Sequence, residues 1–198
     1  SCKDNPFQVK IETFDPKKSE LIYDDRSVSV TTIPLKHRVP CAGFLFREKQ
    51  KEAHLIPEMI KFHNIPIREL ANIKKGADFI TEEGKVIPNS HLTIPSEPAR
   101  SYAYCSDTAY NEKIVPIIEG VDLLYHEATF VDEDAARAKA TGHSTASQAA
   151  QIAKLANVKK MMIGHFSARY PDNQILLDEA RKVFPNTILA NEGLREKL

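Results

Sequence analysis

The sequence predicts an α/β protein, and three observations carry that reading. From Ser101 onward, short apolar runs alternate with longer stretches of helical periodicity. Before Glu48 the pattern is that of strands alone, and the intervening 48–100 segment has a different, proline-punctuated texture. The chain therefore divides into a strand-rich segment (1–47), an arm-like insertion with an extended return (48–100) and a strand–helix alternation (101–198). Alternation of the last kind builds sheets with helices packed on them.

The first segment opens with Gln8-Val-Lys-Ile-Glu-Thr-Phe14, where apolar and polar residues alternate as in a half-buried strand. Strands over Glu20–Tyr23 and Ser27–Ile33 flank a tight turn at Asp24-Asp-Arg26, and Ala42–Arg47 forms another. Ser1-Cys-Lys-Asp-Asn-Pro6 lacks a start methionine and leads straight into strand pattern, as the interior of a longer protein does. In the second segment Pro57 and Pro66 suit the first position of short helices, where a missing N–H costs nothing. Gly76 closes the second helix, Thr81-Glu-Glu-Gly84 turns, and Pro88, Pro95 and Pro98 keep the chain extended. In the third segment, strands at Tyr102–Cys105, Val121–Tyr125, Met161–Gly164 and Ile188–Ala190 alternate with helices near 111–119, 132–140, 146–156 and 173–184.

At 198 residues, with 42% apolar and 27% charged residues, the composition is that of an ordinary soluble globular chain. No apolar run approaches the roughly 18 residues a membrane span needs, so the expectation is a cytoplasmic protein with no membrane partner. Cys2, Cys41 and Cys105 are too scattered for a disulfide framework or a paired-cysteine metal motif and read as buried thiols. Twenty-seven basic residues balance twenty-seven acidic ones, which argues against a dedicated nucleic-acid coat and leaves room for a local basic patch.

Metal-ligand chemistry concentrates at strand ends. Asp107 follows the strand ending at Cys105, where a carboxylate either holds one or two cations or caps the next segment as an Asx turn. His165 ends the run Met161-Met-Ile-Gly164, with Ser167 and Arg169 close behind, and a guanidinium fork there suits phosphate or carboxylate. Thr145 and Gln148 have capping-box spacing, which leaves His143 beside a helix N-terminus as a proton donor or phosphate contact. Glu127 is either an edge-of-strand acid or the carboxylate that orients an imidazole, with His143 its candidate partner. His37 is held between Pro34 and Pro40, whereas His54, His63 and His91 read as surface residues. Candidate ligands at the carboxyl ends of such strands share one edge of the sheet.

In combination, Leu35-Lys-His-Arg-Val-Pro-Cys-Ala-Gly-Phe44, Ser106-Asp-Thr108, His126-Glu-Ala-Thr129, His143-Ser-Thr145 and His165-Phe-Ser-Ala-Arg169 resemble ribonuclease Z of the metallo-β-lactamase superfamily. The motifs occur in that family's order and extend over most of the chain. The resemblance implies the C-terminal part of an αββα sandwich with an inserted arm, and a zinc-dependent endoribonuclease that removes 3′ trailers from precursor tRNA. It implies His37, Asp107 and His165 as ligands of two zinc ions, with Asp107 bridging. It implies Glu127 and His143 as the catalytic pair that protonates the leaving oxygen, Ser167 and Arg169 as substrate-binding residues, and a homodimer. Residues near 48–75 occupy the interval of the family's tRNA-gripping arm, without its glycine-rich character. The family's His-x-His-x-Asp-His motif, which supplies most of both zinc spheres, is absent from this sequence. Three side chains cannot fill two spheres of about four ligands each, so this chain alone is expected to bind zinc weakly and cut no RNA. A related phosphodiesterase or arylsulfatase of the same fold, or a non-catalytic anion-binding module, are the competing readings.

Overall fold

Apolar residues at alternate positions of the central strands turn into one buried core, and that period decides which face of the sheet carries helices. The computed structural model describes residues 10–198. In chain order its elements are β1 (Leu21–Asp24), β2 (Val28–Pro34), β3 (Ala42–Glu48), β4 (His54–Leu55), α1 (Pro57–Phe62), α2 (Ile67–Lys74), β5 (Phe79–Ile80), β6 (Val86–Ile87), α3 (Asn89–Leu92), β7 (Thr93–Ile94) and β8 (Ser101–Cys105). They continue as β9 (Leu123–Glu127), α4 (Ala135–Thr141), α5 (Ala146–Leu155), β10 (Lys160–Gly164), α6 (Gln174–Val183) and β11 (Thr187–Leu189). Two units separate, one of Glu48–Ala99 and one of the residues up to Arg47 together with Arg100–Leu198.

The larger unit is built on a seven-stranded sheet in the order β1-β2-β3-β8-β9-β10-β11. β1 and β2 are antiparallel, as are β3 and β8, whereas β8, β9, β10 and β11 run parallel. Leu45, Ala103, Cys105, Leu124, Met161 and Ile163 form one buried core with Ala146, Ala149, Ala150 and Ala153 of α5 and Leu176, Leu177 and Ala180 of α6. The alanine stripe lets α5 lie close to the sheet. Its N-terminus is closed by the capping box: the Thr145 hydroxyl accepts from Gln148 N–H, and Gln148 Oε1 accepts from Thr145 N–H. The alternate residues of β3, β8 and β9 put aromatic rings on the other face. Phe46 stacks on Tyr102 with centroids 6.0 Å apart, and Tyr104 stacks on Tyr125 at 4.8 Å. Phe46 and Tyr104 stay 37% and 38% exposed, so this face is half-covered.

The smaller unit has a core of its own, in which Ile65, Ile73, Ile87 and Leu92 pack with Leu55, Met59, Ile60, Leu70 and Phe79. Asn89 ties it together. Its side-chain amide donates to the Ile73 and Ala77 carbonyls at the end of α2, and its backbone N–H donates to Asp78 Oδ1. Thr81–Gly84 turns between β5 and β6 as expected, with Gly84 at φ +81°.

Several elements differ from the sequence expectation. Within the described part of the predicted first strand, residues 10–14 make no ladder, and Ile11 stands 87% exposed; Gln8 and Val9 lie outside the described residues. Alternation alone cannot make a strand without a partner edge. The helix expected over 111–119 is a single 3-10 turn, Glu112–Ile114, because Pro116 supplies no N–H to continue it. Pro88 leads into the short helix α3 rather than an extended run, since proline is well suited to a helix start. The strand expected at Val121–Tyr125 is shifted to Leu123–Glu127, which places His126 and Glu127 inside the sheet.

His126 lies opposite Cys105 and Ile163 in register and is fully buried. Its Nδ1 hydrogen is donated to the Glu127 carbonyl at 2.7 Å, and Nε2 has no partner among the described residues. Burial pushes its pKa below the ordinary 6.5. The unfolded chain therefore takes up a proton below about pH 6.5 that the folded chain refuses, so stability is lost as pH falls through that window. Urea unfolding is expected to show a loss approaching 1.4 kcal/mol per pH unit below pH 6.5 from this group. His126→Leu flattens that part of the curve; an unchanged slope in the variant would show that His126 is not the group responsible.

Candidate metal centre

Parallel strands that share a direction deliver their carboxyl ends to one edge, and here β8, β9 and β10 each end in a polar turn. Asp107 and His165 follow β8 and β10 in left-handed backbone, at φ +58° and +60°. Aspartate tolerates this region and histidine does so less readily, at a cost on the order of 1–3 kcal/mol per residue. The reversal turns both side chains back over the sheet edge, where His165 Nε2 lies 3.2 Å from Asp107 Oδ1. On the opposite flank, the loop after β2 is stitched to the turn after β8. Lys36 N–H donates to Thr108 Oγ1 at 3.1 Å, and Ala109 N–H donates to the Lys36 carbonyl at 2.7 Å, which fixes His37 beside this edge.

Glu127 lies at the end of β9 with no solvent exposure, and four donors converge on it. Oε1 accepts from Thr108 N–H at 2.6 Å and His143 Nδ1 at 2.9 Å, while Oε2 accepts from the Thr129 hydroxyl at 2.6 Å and Ser144 N–H at 3.1 Å. A buried carboxylate with all its acceptor sites directed at donors is stable where an unpaired one is not. His143 is thereby held with Nδ1 toward Glu127, and its Nε2 has no hydrogen-bond partner among the described residues. Its ring lies between two others, 5.0 Å from His37 and 5.3 Å from His165 by centroids.

The hydrogen-bond network also assigns the other tautomers. His37 Nδ1 lies 2.9 Å from the Gly142 carbonyl, an acceptor only, so Nδ1 carries the hydrogen and Nε2 the lone pair. Gly142 is left-handed at φ +84°, and a Cβ there would meet His37 Nδ1 at 3.0 Å, so glycine serves both the turn and the histidine. The Thr129 hydroxyl has one hydrogen and contacts Glu127 Oε2 at 2.6 Å, with His165 Nδ1 and the His165 carbonyl each at 2.9 Å. Given to the carboxylate at the shortest of these distances, that hydrogen leaves the hydroxyl to accept from His165 Nδ1–H. His165 Nε2 then presents its lone pair toward Asp107. Holding one ring nitrogen so that the other can bind metal is the usual arrangement around histidine ligands.

Ligand atoms of His37, Asp107 and His143 lie within 4.8 Å of one another, as do those of Glu127, His143 and His165. The second group is better explained as a hydrogen-bonded cluster, because Glu127 is enclosed and already engaged by four donors. The nitrogen and carboxylate donors of His37, Asp107 and His165 suit a borderline cation such as zinc, though they are too few for two ions. Burial first, then the charges of Asp107 and Glu127, push the Cys41 thiol up, and it donates to the Asp107 carbonyl at 3.3 Å.

Of the residues singled out in the sequence, the structure brings together His37, Asp107, Glu127, His143 and His165. Ser167 sits in the turn that follows, where its N–H donates to the Thr129 carbonyl, and Arg169 is exposed, with no ion pair among the described residues. Sequence reasoning missed Thr108, Thr129 and Gly142. Each belonged to a motif already quoted, but a hydroxyl or a glycine carries no ligand signature of its own.

Residues 84–166 match the model of the "Beta-lactamase superfamily domain". The chain is 58% identical over 194 residues to Ribonuclease Z of Parabacteroides distasonis, covering 98% of this chain and 64% of that protein. It is 58% identical over 193 residues to Ribonuclease Z of Bacteroides thetaiotaomicron, covering 98% of this chain and 61% of that one. The chain has the metallo-β-lactamase fold and is similar to ribonucleases Z over nearly all of its own length. Solved structures agree on the fold. The metallo-beta-lactamase fold protein YhfI of Bacillus subtilis superposes with a TM-score of 0.57 at 18% identity, over 91% of this chain and 53% of that one. The short form of human tRNase Z superposes with a TM-score of 0.53 at 23% identity, over 90% and 46%. The chain thus spans less than two thirds of the length of the ribonuclease Z relatives named.

Two expectations follow from the network. Glu127→Gln sets an amide NH2 against two of the four donors and should cost about 3 kcal/mol in urea unfolding at neutral pH; a loss below about 1 kcal/mol would contradict its central place. Thr129→Val removes the acceptor for His165 Nδ1–H. The 15N resonances of His165 should then show mixed tautomers, whereas Thr129→Ser keeps the Nδ1-protonated form of the wild type; a wild-type pattern in Thr129→Val refutes the assignment.

Proposed function

We propose that this chain is part of a zinc-dependent endoribonuclease that removes 3′ trailers from precursor tRNA. The observation that carries the reading is the Glu127–His143 pair held between the side chains of His37 and His165, with Asp107 at the same edge. The 58% identity to proteins named Ribonuclease Z supports the substrate class. Among the described residues no helix is long and apolar enough to cross a membrane, in keeping with a cytoplasmic RNA-processing enzyme. By the same resemblance, the protein acts as a homodimer, and the separate Glu48–Ala99 unit serves as the arm that grips tRNA.

The residues would act as follows. His37 and His165 through Nε2, and Asp107 through its carboxylate, would hold zinc, which when bound polarises a phosphoryl oxygen and supplies a nucleophilic hydroxide at neutral pH. His143 Nε2 faces the site and gives a proton to the departing 3′ oxygen. Glu127 accepts the hydrogen on the opposite ring nitrogen, keeps the imidazole in that orientation and stabilises its charged form. Ser167 and Arg169 approach the RNA phosphates from the turn after His165. The further length of the ribonuclease Z relatives supplies the remaining ligands and covers the aromatic face of Phe46, Tyr102, Tyr104 and Tyr125.

The test compares this chain with a protein of the relatives' full length, each with zinc and a precursor tRNA carrying a 3′ trailer. The longer protein should release the trailer and this chain should not. His143→Ala in the longer protein should lower kcat by about 10²–10⁴. Failure of the longer protein to release any trailer would sink the reading.

A further inference from the structure

Balanced overall charge makes local segregation of charge informative, and the larger unit segregates it beside the site. Two cavities flank the His37–His143 pair. One, of about 430 Å³, is lined by Lys36, Lys139, Tyr110, Gln148 and the His143 side chain. The other, of about 530 Å³, is lined by Lys36, His37, Lys17, Lys113 and Asn111. Lys36 borders both, so the two form one run of four lysines past the candidate metal centre. No carboxylate lines either cavity.

Acids do lie close by, with Asp107 and Glu127 beside the histidine pair itself, at the candidate metal centre. Glu112 accepts from the Tyr110 hydroxyl at 2.7 Å, and Asp134 accepts from the Tyr170 hydroxyl at 2.5 Å. None of the four lysines has an ion pair among the described residues, unlike Lys18, Lys159 and Lys160, which are paired. Gln148 spends its amide oxygen on the Thr145 N–H, which leaves the NH2 group to donate into the first cavity. A cleft with cations on its walls and no anions focuses a positive field and attracts polyanions.

We propose that Lys36 and Lys139, continued by Lys17 and Lys113, form a phosphate track that holds the backbone of the RNA strand passing the His37–His143 pair. The inference rests on the nuclease reading for the identity of the strand, but the track is defined by charge alone. Its contacts are to phosphates, so it orients the strand without reading its bases.

The experiment uses this chain and a labelled single-stranded oligoribonucleotide, with affinity measured by fluorescence anisotropy over about 50–200 mM salt. Each phosphate contact releases counterions, so Lys36→Ala and Lys139→Ala should each reduce the slope of log K against log salt by about 0.7. The double variant should lose about twice that, equally for uridine-rich and adenosine-rich strands. Lys154→Ala, an exposed lysine of α5 that lines neither cavity, serves as the control and should leave the slope unchanged. Lys139 lies on exposed helix surface, where alanine is well tolerated, so its variant remains informative if Lys36→Ala folds poorly. Equal slopes for all variants, or no RNA binding by the wild-type chain, overturn the track. If the slopes fall as expected but the longer protein releases no trailer, the track stands and the nuclease reading falls. Trailer release with unchanged slopes removes the track alone.

Discussion

The buried carboxylate of Glu127 is the constraint on which the site depends. Moving such a group out of water costs several kcal/mol unless donors replace the lost hydration. Here the donors come from three separate turns: Thr108 after β8, Thr129 after β9, and His143 with Ser144 before α5. Each turn carries a candidate functional group beside its donor. Thr108 follows Asp107, the Thr129 hydroxyl meets His165, and the residue before His143 offers its carbonyl to His37. One charge that can be satisfied only when all three turns are closed therefore sets the relative positions of every proposed ligand. The arrangement is robust as a whole and vulnerable at that one residue.

That dependence also accounts for the strained backbone at Asp107 and His165. Left-handed residues other than glycine persist when the surroundings leave no alternative. Asp107 lies between the end of a parallel strand and the Thr108 N–H bond to Glu127; His165 lies between the end of another and the Thr129 hydroxyl. The sheet fixes one end of each turn and Glu127 the other. The strain is small beside the cost of leaving the carboxylate or its donors unmatched.

The strand–helix alternation after Ser101 was legible because its periods are long and regular, and the alanine face of α5 announced its own packing. The five polar residues of the site were legible too, since ligand-type side chains at strand ends are conspicuous. What eluded the sequence was of two kinds. Pro116 overrode a helical pattern, and the alternating residues 10–14 found no partner strand, because a local pattern says nothing about the neighbour it requires. Thr108, Thr129 and Gly142 were invisible because their work lies in a hydrogen or a carbonyl directed at a residue far along the chain. Only the assembled turns give such small groups a role.

The two half-finished features of the larger unit point to the same cause. Its sheet has helices on one face and stacked aromatic rings on the other, with Phe46 and Tyr104 more than a third exposed. Its edge gathers the three proposed metal ligands, fewer than the two ions of the proposed site would need. A sheet that closed on its own would be expected to place polar residues on its open face, and a self-contained metal site would carry a full set of donors. Aromatic rings in register on adjacent strands are what a second apolar layer packs against. A ligand cluster at the end of those same strands is well placed to be completed by that layer. One additional layer would therefore cover the rings and complete the ligands together, which ties the completion of the fold to the completion of the proposed catalytic site.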